Sequence, residues 1–345
     1  MAFRSTHCVE CRDFRRFTYM GDYMSLRIRI ALCRTITLVC MGLAFATESP
    51  AAETPTYADN VVMIMVDGLR PDALKQAKTP VLGSLIKRGS FTMKAQTVTP
   101  SLTLPAFTSM LTGLPVEAHG VDWNDYEPQR GYLKAPTIFE IATFNGSKWG
   151  AAFIQKEKLL HVTKQDRRLA LHVCSTSEPG CTAQKIASDV ITAYKTATDS
   201  TKPSLFLIHF AEADVAGHTD GWLSKPYLKA VEDIDRAIGT LLKGFKDLGL
   251  YEQTTFIVSA DHGGHGTTHG TTMPEDMTIP WIAAGPGIKA GHEIKQPVSL
   301  MDMPATVMRA FGISDYYVEW KSRSVEEMFA AGTATAPAGA GRLSQ

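Results

Sequence analysis

Acids and imidazoles gather in four short clusters along the chain: Asp67, the D-x-x-x-H pair Asp214 and His218 in EADVAGH, the dipeptide Asp261-His262, and His269 in the run DHGGHGTTHG. Any one of them is ordinary, because an acid after a strand commonly caps a turn and a single histidine is commonly packed or solvated. Together they make three carboxylates and three imidazoles. Gathering three acids is costly unless cations neutralise them, mixed carboxylate and imidazole shells suit zinc, and this many ligands suits two ions. His265 shares the glycine-rich loop with His269 and competes with it for the last ligand position; His269 is preferred. His119, His161, His172, His209 and His292 read as structural or exposed. A fifth element is TPSLTLPAFTSMLTGLPVEAHGV, residues 99–121. Pro105 favours a first helical turn, so Thr103 would present its hydroxyl beside a helix N-terminus, where anions are stabilised. The ordinary alternative is a helix-capping threonine.

These residues need elements to position them, and the hydrophobic pattern supplies them. Residues 60–66 form a continuous apolar run ending in Asp67-Gly68, the pattern of a buried parallel strand. Residues 204–210 and 254–260 repeat it, each followed at once by acids and histidines, and 279–284 is a further buried run closed by Gly285-Pro286-Gly287. Tyr227, Val231, Ile234, Ile238, Leu241, Leu242 and Phe245 recur at helical spacing with charges opposite. Residues 136–143 and 182–197 read as helices in the same way. Strands alternating with helices predict an α/β fold: an open, mostly parallel sheet with helices on both faces, its ligands bound at the strand C-terminal ends. Residues 146–199, with their cysteine pair and polar loops, could form a small inserted cap.

The chain's 345 residues are 44% hydrophobic and 20% charged, which excludes disorder and fibrous repeats. Net charge is zero but uneven. Residues 1–46 carry seven arginines against Glu10, Asp13 and Asp22, which leaves the remainder mildly acidic, with no basic face for a polynucleotide. Arg27, Arg29 and Arg34 precede the apolar run 36–46, which ends in Ala44-Phe45-Ala46. This is the pattern of a signal peptide, cut after Ala46 or Ala51, and the run is too short to span a bilayer. A secreted or periplasmic protein with no membrane span in its mature form is expected. The polar stretch before it suggests translation from Met20 or Met24. Of six cysteines, Cys174 and Cys181 alone fall after the signal, and in an exported chain they suggest one disulfide stapling a surface loop. The expected organisation is an extension and signal peptide over 1–46, a catalytic domain over 57–315, and a disordered Ala-, Gly-, Thr- and Pro-rich tail over 330–345.

With these motifs in view, the sequence resembles the type I phosphodiesterase/nucleotide pyrophosphatase branch of the alkaline phosphatase superfamily over residues 61–312. The family's strand ending in D-G is matched by VDGLRPD, and its T-x-P nucleophile element, ten residues before the glycine of a T-G pair, by Thr103, Pro105 and Gly113. Its D-x-x-x-H pair is matched by Asp214 and His218, its S-x-D-H-G by SADHGG, and its T-H-G before a G-P turn by Thr268-His269-Gly270 and Gly285-Pro286. The resemblance implies one zinc on Asp214, His218 and His269, and a second on Asp67, Asp261, His262 and the Thr103 oxygen. It further implies nucleophilic attack by Thr103 and a phosphothreonine intermediate, with Asn124 in GVDWND binding a non-bridging phosphate oxygen. The implied activity is hydrolysis of phosphodiester or pyrophosphate bonds in a small, nucleotide-like substrate.

Lys156 and Lys158 in FIQKEKLL resemble the lysine pair of phosphonoacetate hydrolases in the same superfamily, so a phosphonate substrate is the alternative, alongside a phosphomonoesterase and a non-catalytic binding protein. The sulfatase branch needs C/S-x-P-x-R, where this chain has Thr103, Pro105 and Phe107, so sulfatase activity is not expected.

Overall fold

The structure is a computed structural model that describes residues 56–146, 148–163, 168–314 and 321–331. The expected signal peptide and nearly all of the expected tail lie outside these residues.

Eight strands, β1 (Asn60–Val66), β2 (Ser90–Gln96), β3 (Gly150–Ile154), β4 (Leu169–Val173), β5 (Leu205–Phe210), β6 (Thr254–Ser259), β7 (Thr278–Ala284) and β8 (His292–Glu293), form one sheet. Their order is β4-β3-β5-β1-β6-β7-β2-β8, and every neighbouring pair is parallel except those made by β7. Every residue of β1, β3, β5 and β6 is buried, which requires cover on both faces and explains why β1, β5 and β6 read as unbroken apolar runs. The fold is therefore the alkaline phosphatase-like α/β arrangement expected from the sequence.

The longest helix, Lys225–Asp247, starts at Ser224, whose hydroxyl accepts a hydrogen bond from the Tyr227 amide, and has Pro226 in its first turn. It buries the expected stripe from Tyr227 to Phe245 and packs against helices Ala183–Thr196 and Glu212–Asp220. Each buried large side chain contributes about 1.5–3 kcal/mol. The exposed pair Lys243 and Asp247 on the opposite face contributes about 0.3–0.5 kcal/mol. The stripe, not the surface charge, fixes where this helix lies.

Helix Thr103–Thr112 is unusual in burying all ten of its residues. Two of its polar side chains are satisfied within the helix, since the Thr108 and Thr112 hydroxyls donate to the carbonyls of Leu104 and Thr108 at 2.7 Å, and Ser109 Oγ lies 3.0 Å from His119 Nε2. Gly113 ends it in the left-handed region at φ 64°, a conformation that favours glycine. Leu102, not Thr103, is the N-cap residue; Thr103 is the first helical residue and makes no capping bond.

Residues 146–199 do not form a separate cap. β3 pairs with β5 and β4 pairs with β3, so this segment builds one side of the sheet, and helix Ala183–Thr196 packs on Lys225–Asp247. The small residues of β3 (GAAFI) and the half-exposed alternation of β4 mute the strand signal there.

Candidate metal centre

All the polar clusters meet beyond the C-terminal ends of β1, β3, β5 and β6. Asp67 follows β1, and Gly68 turns the chain at φ 71°; a Cβ there would lie 3.1 Å from the Asp214 backbone, so glycine lets the β1 turn and the Asp214 helix approach. The Gly68 carbonyl accepts from Trp222 Nε1 and the Tyr227 hydroxyl, both at 2.9 Å, which anchors the turn to the next helices. Asp214 and His218 share one face of helix Glu212–Asp220, as their spacing requires. Asp261 and His262 follow β6, and His269 stands on the glycine-rich loop beyond.

Each aspartate is tied down by one oxygen and leaves the other without a hydrogen-bond partner. Asp261 Oδ1 accepts from the amides of Gly68 (3.1 Å) and His262 (3.0 Å). Asp67 Oδ2 faces His209 Nε2 at 2.9 Å and Lys156 Nζ at 2.7 Å, and Asp214 Oδ2 accepts from Lys156 Nζ at 2.6 Å. Asp67 Oδ1, Asp214 Oδ1 and Asp261 Oδ2 are buried and unpartnered. A buried, unpaired carboxylate oxygen is expensive, and three converging in one site is a pattern that cations resolve.

The histidines point the same way. His218, His262 and His269 place Nδ1 at 3.0, 2.8 and 2.8 Å from the carbonyls of Thr267, Gly263 and Ser101. A carbonyl only accepts, so each Nδ1 carries the proton and each neutral ring keeps its Nε2 lone pair for a ligand role. His218 Nε2 and His269 Nε2 then face each other at 3.1 Å with two lone pairs and no proton between them. Asp214 Oδ1 lies 3.5 and 3.6 Å from these two nitrogens.

A second convergence centres on His262 Nε2, with Asp67 Oδ1 and Asp261 Oδ2 each at 3.4 Å and Thr103 Oγ1 at 3.3 Å. His262 also approaches Asp214 Oδ1 at 4.0 Å and stacks on the His269 ring, so Asp214, His262 and His269 make an overlapping triplet. Its shorter contacts place His262 with Asp67, Asp261 and Thr103.

Burial and the charges of Asp67 and Asp214 push Asp261 well above the ordinary carboxylate range. Burial acts on Asp67 in the same sense, but Lys156, His209 and His262 overcome it and hold Asp67 well below that range. Burial lowers His262, and it brings His269 down to about 4 with help from the neighbouring His262. Both rings are therefore neutral at pH 7, the form that binds metal.

Asn124 stands at the start of the Thr103 helix, where its Oδ1 accepts from the Leu104 amide at 2.9 Å; its Nδ2 has no partner among the described residues. His265 donates instead to Asp276 Oδ1 at 2.7 Å, and Asp276 Oδ2 accepts from the Thr271 amide and hydroxyl, so this pair braces the loop that presents His269. Lys158, whose ammonium has no partner among the described residues, has its pKa lowered by burial and by the charge of Lys156.

Three residues were missed in the sequence. His209 is fully buried and sits in register with Met65 of β1; its Nδ1 accepts from the Gln155 amide, so Nε2 carries the proton that Asp67 receives. Gln155 in turn accepts from the Ala211 amide and reaches the Cys181 carbonyl. Cys174 and Cys181 are bridged, and the loop they close abuts this relay behind Asp67 instead of lying apart from the site. Trp222 packs edge-on to His218 and His269, and Gly217 and Gly264 leave room for its ring. A fully buried polar strand residue was the available signal for His209.

Among the described residues no helix is long and apolar enough to cross a membrane. A profile of the type I phosphodiesterase/nucleotide pyrophosphatase family matches residues 61–278. Mouse ectonucleotide pyrophosphatase/phosphodiesterase family member 1 is 23% identical over 238 residues, 63% of this chain, and human family member 5 is 24% identical over 240 residues, 66% of this chain. The chain spans 25% and 49% of those relatives' lengths. The solved structure of an inactive mouse ectonucleotide pyrophosphatase/phosphodiesterase 5 in complex with AMP superposes with a TM-score of 0.66 at 16% identity, covering 79% of this chain and all of the other. A 2-O GAG sulfatase shares the fold at a TM-score of 0.59 and 16% identity, covering 77% of this chain and 73% of its own. The family profile covers well over half of the chain, and with it the β1 turn, the Thr103 helix and the carboxylate and imidazole clusters. The chain belongs to the type I phosphodiesterase/nucleotide pyrophosphatase family.

Proposed function

We propose that the protein hydrolyses phosphodiester or pyrophosphate bonds of a nucleotide-like substrate, using two zinc ions and Thr103 as nucleophile. The observation that carries this reading is the pair of convergences just described. Ligands about 2.0–2.2 Å from a tetrahedral zinc lie roughly 3.3–3.6 Å apart. The contacts among Asp214, His218 and His269 run from 3.1 to 3.6 Å, and those from His262 to Asp67, Asp261 and Thr103 from 3.3 to 3.4 Å.

The zinc pair, when bound, would lower the pKa of the Thr103 hydroxyl and neutralise charge on the phosphoryl oxygens. Thr103 Oγ1 attacks phosphorus, forming a P–O bond as the bond to the leaving oxygen breaks; the hydroxyl proton passes to solvent, and the leaving group takes one from it as needed. Water then cleaves the phosphothreonine and restores the hydroxyl. The buried Thr103 helix fixes the nucleophile, and its first amides favour an anion at that end. Asn124, its oxygen held by the Leu104 amide, offers Nδ2 to a non-bridging oxygen. Such a neutral donor suits the single charge of a diester. The disulfide agrees with an exported protein.

One observation favours a second reading. Lys158, without an ion-pair partner among the described residues, would suit a substrate with a second anionic group, such as phosphonoacetate. Comparing turnover of bis(p-nitrophenyl) phosphate, p-nitrophenyl phosphate and phosphonoacetate with zinc present separates the readings. The diester should be fastest; monoester preference would overturn the assignment, and phosphonoacetate preference would establish the second reading.

A further inference from the structure

Lys156 is one of two lysines in FIQKEKLL that resemble a substrate-binding pair, yet its ammonium does not face open space. The side chain is 14% exposed, and Nζ lies 2.7 Å from Asp67 Oδ2 and 2.6 Å from Asp214 Oδ2. Asp67 belongs to the convergence around His262, and Asp214 to the one around His218 and His269. One ammonium therefore joins one acid from each half of the site. The oxygens it takes are both Oδ2, whereas the unpartnered oxygens of the same two acids are both Oδ1. Ammonium and metal would use different lone pairs and need not displace each other.

We propose that Lys156 is a permanent internal cation of the metal centre. It clamps Asp67 and Asp214 together, turns Oδ1 of each toward its own metal position, and offsets part of the carboxylate repulsion when no metal is bound. Three buried carboxylates face this ammonium, with His209 as the other donor to Asp67 and Gly68 and His262 amides on Asp261. Nearby His218, His262 and His269 are the imidazole ligand candidates, and Lys158 is the other cation close by. The role differs from substrate binding, for which the ammonium would have to be free. It is a positioning role, and it rests on the two-metal reading proposed above.

The test compares thermal unfolding of the full chain and its Lys156→Met variant, each after chelation and again after adding zinc. Methionine keeps the apolar stem and removes the charge. The metal-free variant should lose on the order of 10 °C relative to metal-free wild type, because removing one partner of a buried ion pair strands the other. Zinc should then restore most of the difference, so the zinc-induced rise in Tm should be larger in the variant. If the variant survives only with zinc and unfolds on chelation while wild type does not, that is the limiting case of the same result. Equal losses with and without zinc would reduce Lys156 to a packing residue and overturn the proposal. No loss in either state, a larger loss with zinc, or failure to fold even with zinc would do the same. If zinc leaves wild-type Tm unchanged and does not bind, the two-metal reading itself fails; zinc uptake with equal losses rejects the Lys156 role alone.

Discussion

The two halves of the candidate metal centre are built differently. Asp67, Asp261 and His262 follow directly on β1 and β6, are wholly buried, and are held by backbone amides, by His209 and by Lys156. Asp214, His218 and His269 stand on a helix and a glycine-rich loop, and the His218 side chain is 45% exposed. What stiffens the outer half is not the sheet but Trp222, packed behind both imidazoles, and the Asp276 bonds that brace the loop. The inner half concentrates repulsion that folding must offset and in exchange is preorganised; the outer half is the one open to solvent, through His218. Thr103 belongs to the inner half by its contact with His262, so under the proposed mechanism the nucleophile would sit on the rigid side.

This contrast can be broken or sharpened by substitution. The largest effect should come from Thr103→Ala, which removes the reacting atom while leaving six ligands in place. Turnover of an aryl diester should fall at least about 10³-fold with little change in zinc content. Activity within a few-fold of wild type would reject Thr103 as nucleophile. A smaller and more selective effect is expected from His218→Ala. Its exposure makes a large loss of fold stability unnecessary, so competition with a zinc-responsive dye should show one site weakened by more than about 10–100-fold and the other retained. Simultaneous loss of both ions would mean that the halves do not differ as described.

Much of the candidate site could be read from the sequence because its converging residues obey local rules. Asp67, Asp261 and His262 terminate unmistakable buried strands, and Asp214 with His218 is an i,i+4 pair on one helical face. The choice between His265 and His269 was harder: both lie in one loop, and only the bond from His265 to Asp276 separates a bracing residue from one aimed at the centre. The supporting layer was not legible. His209 meets Asp67 across 142 residues of sequence through the pairing of β1 with β5, and Lys156 meets two acids on different elements. No local pattern encodes contacts made by sheet register. The same holds for β3, whose Gly-Ala-Ala start disguised a central strand and made residues 146–199 look like an insertion. The family resemblance reached the candidate ligands but not the residues that orient them.

The central claim is that two small convergences of carboxylate and imidazole atoms each hold a zinc ion. Equilibrium dialysis of chelator-stripped protein against buffered zinc, followed by elemental analysis, tests it directly. The account predicts two zinc ions per chain, bound with distinguishable affinities. Fewer than about one ion per chain at saturating zinc would contradict it.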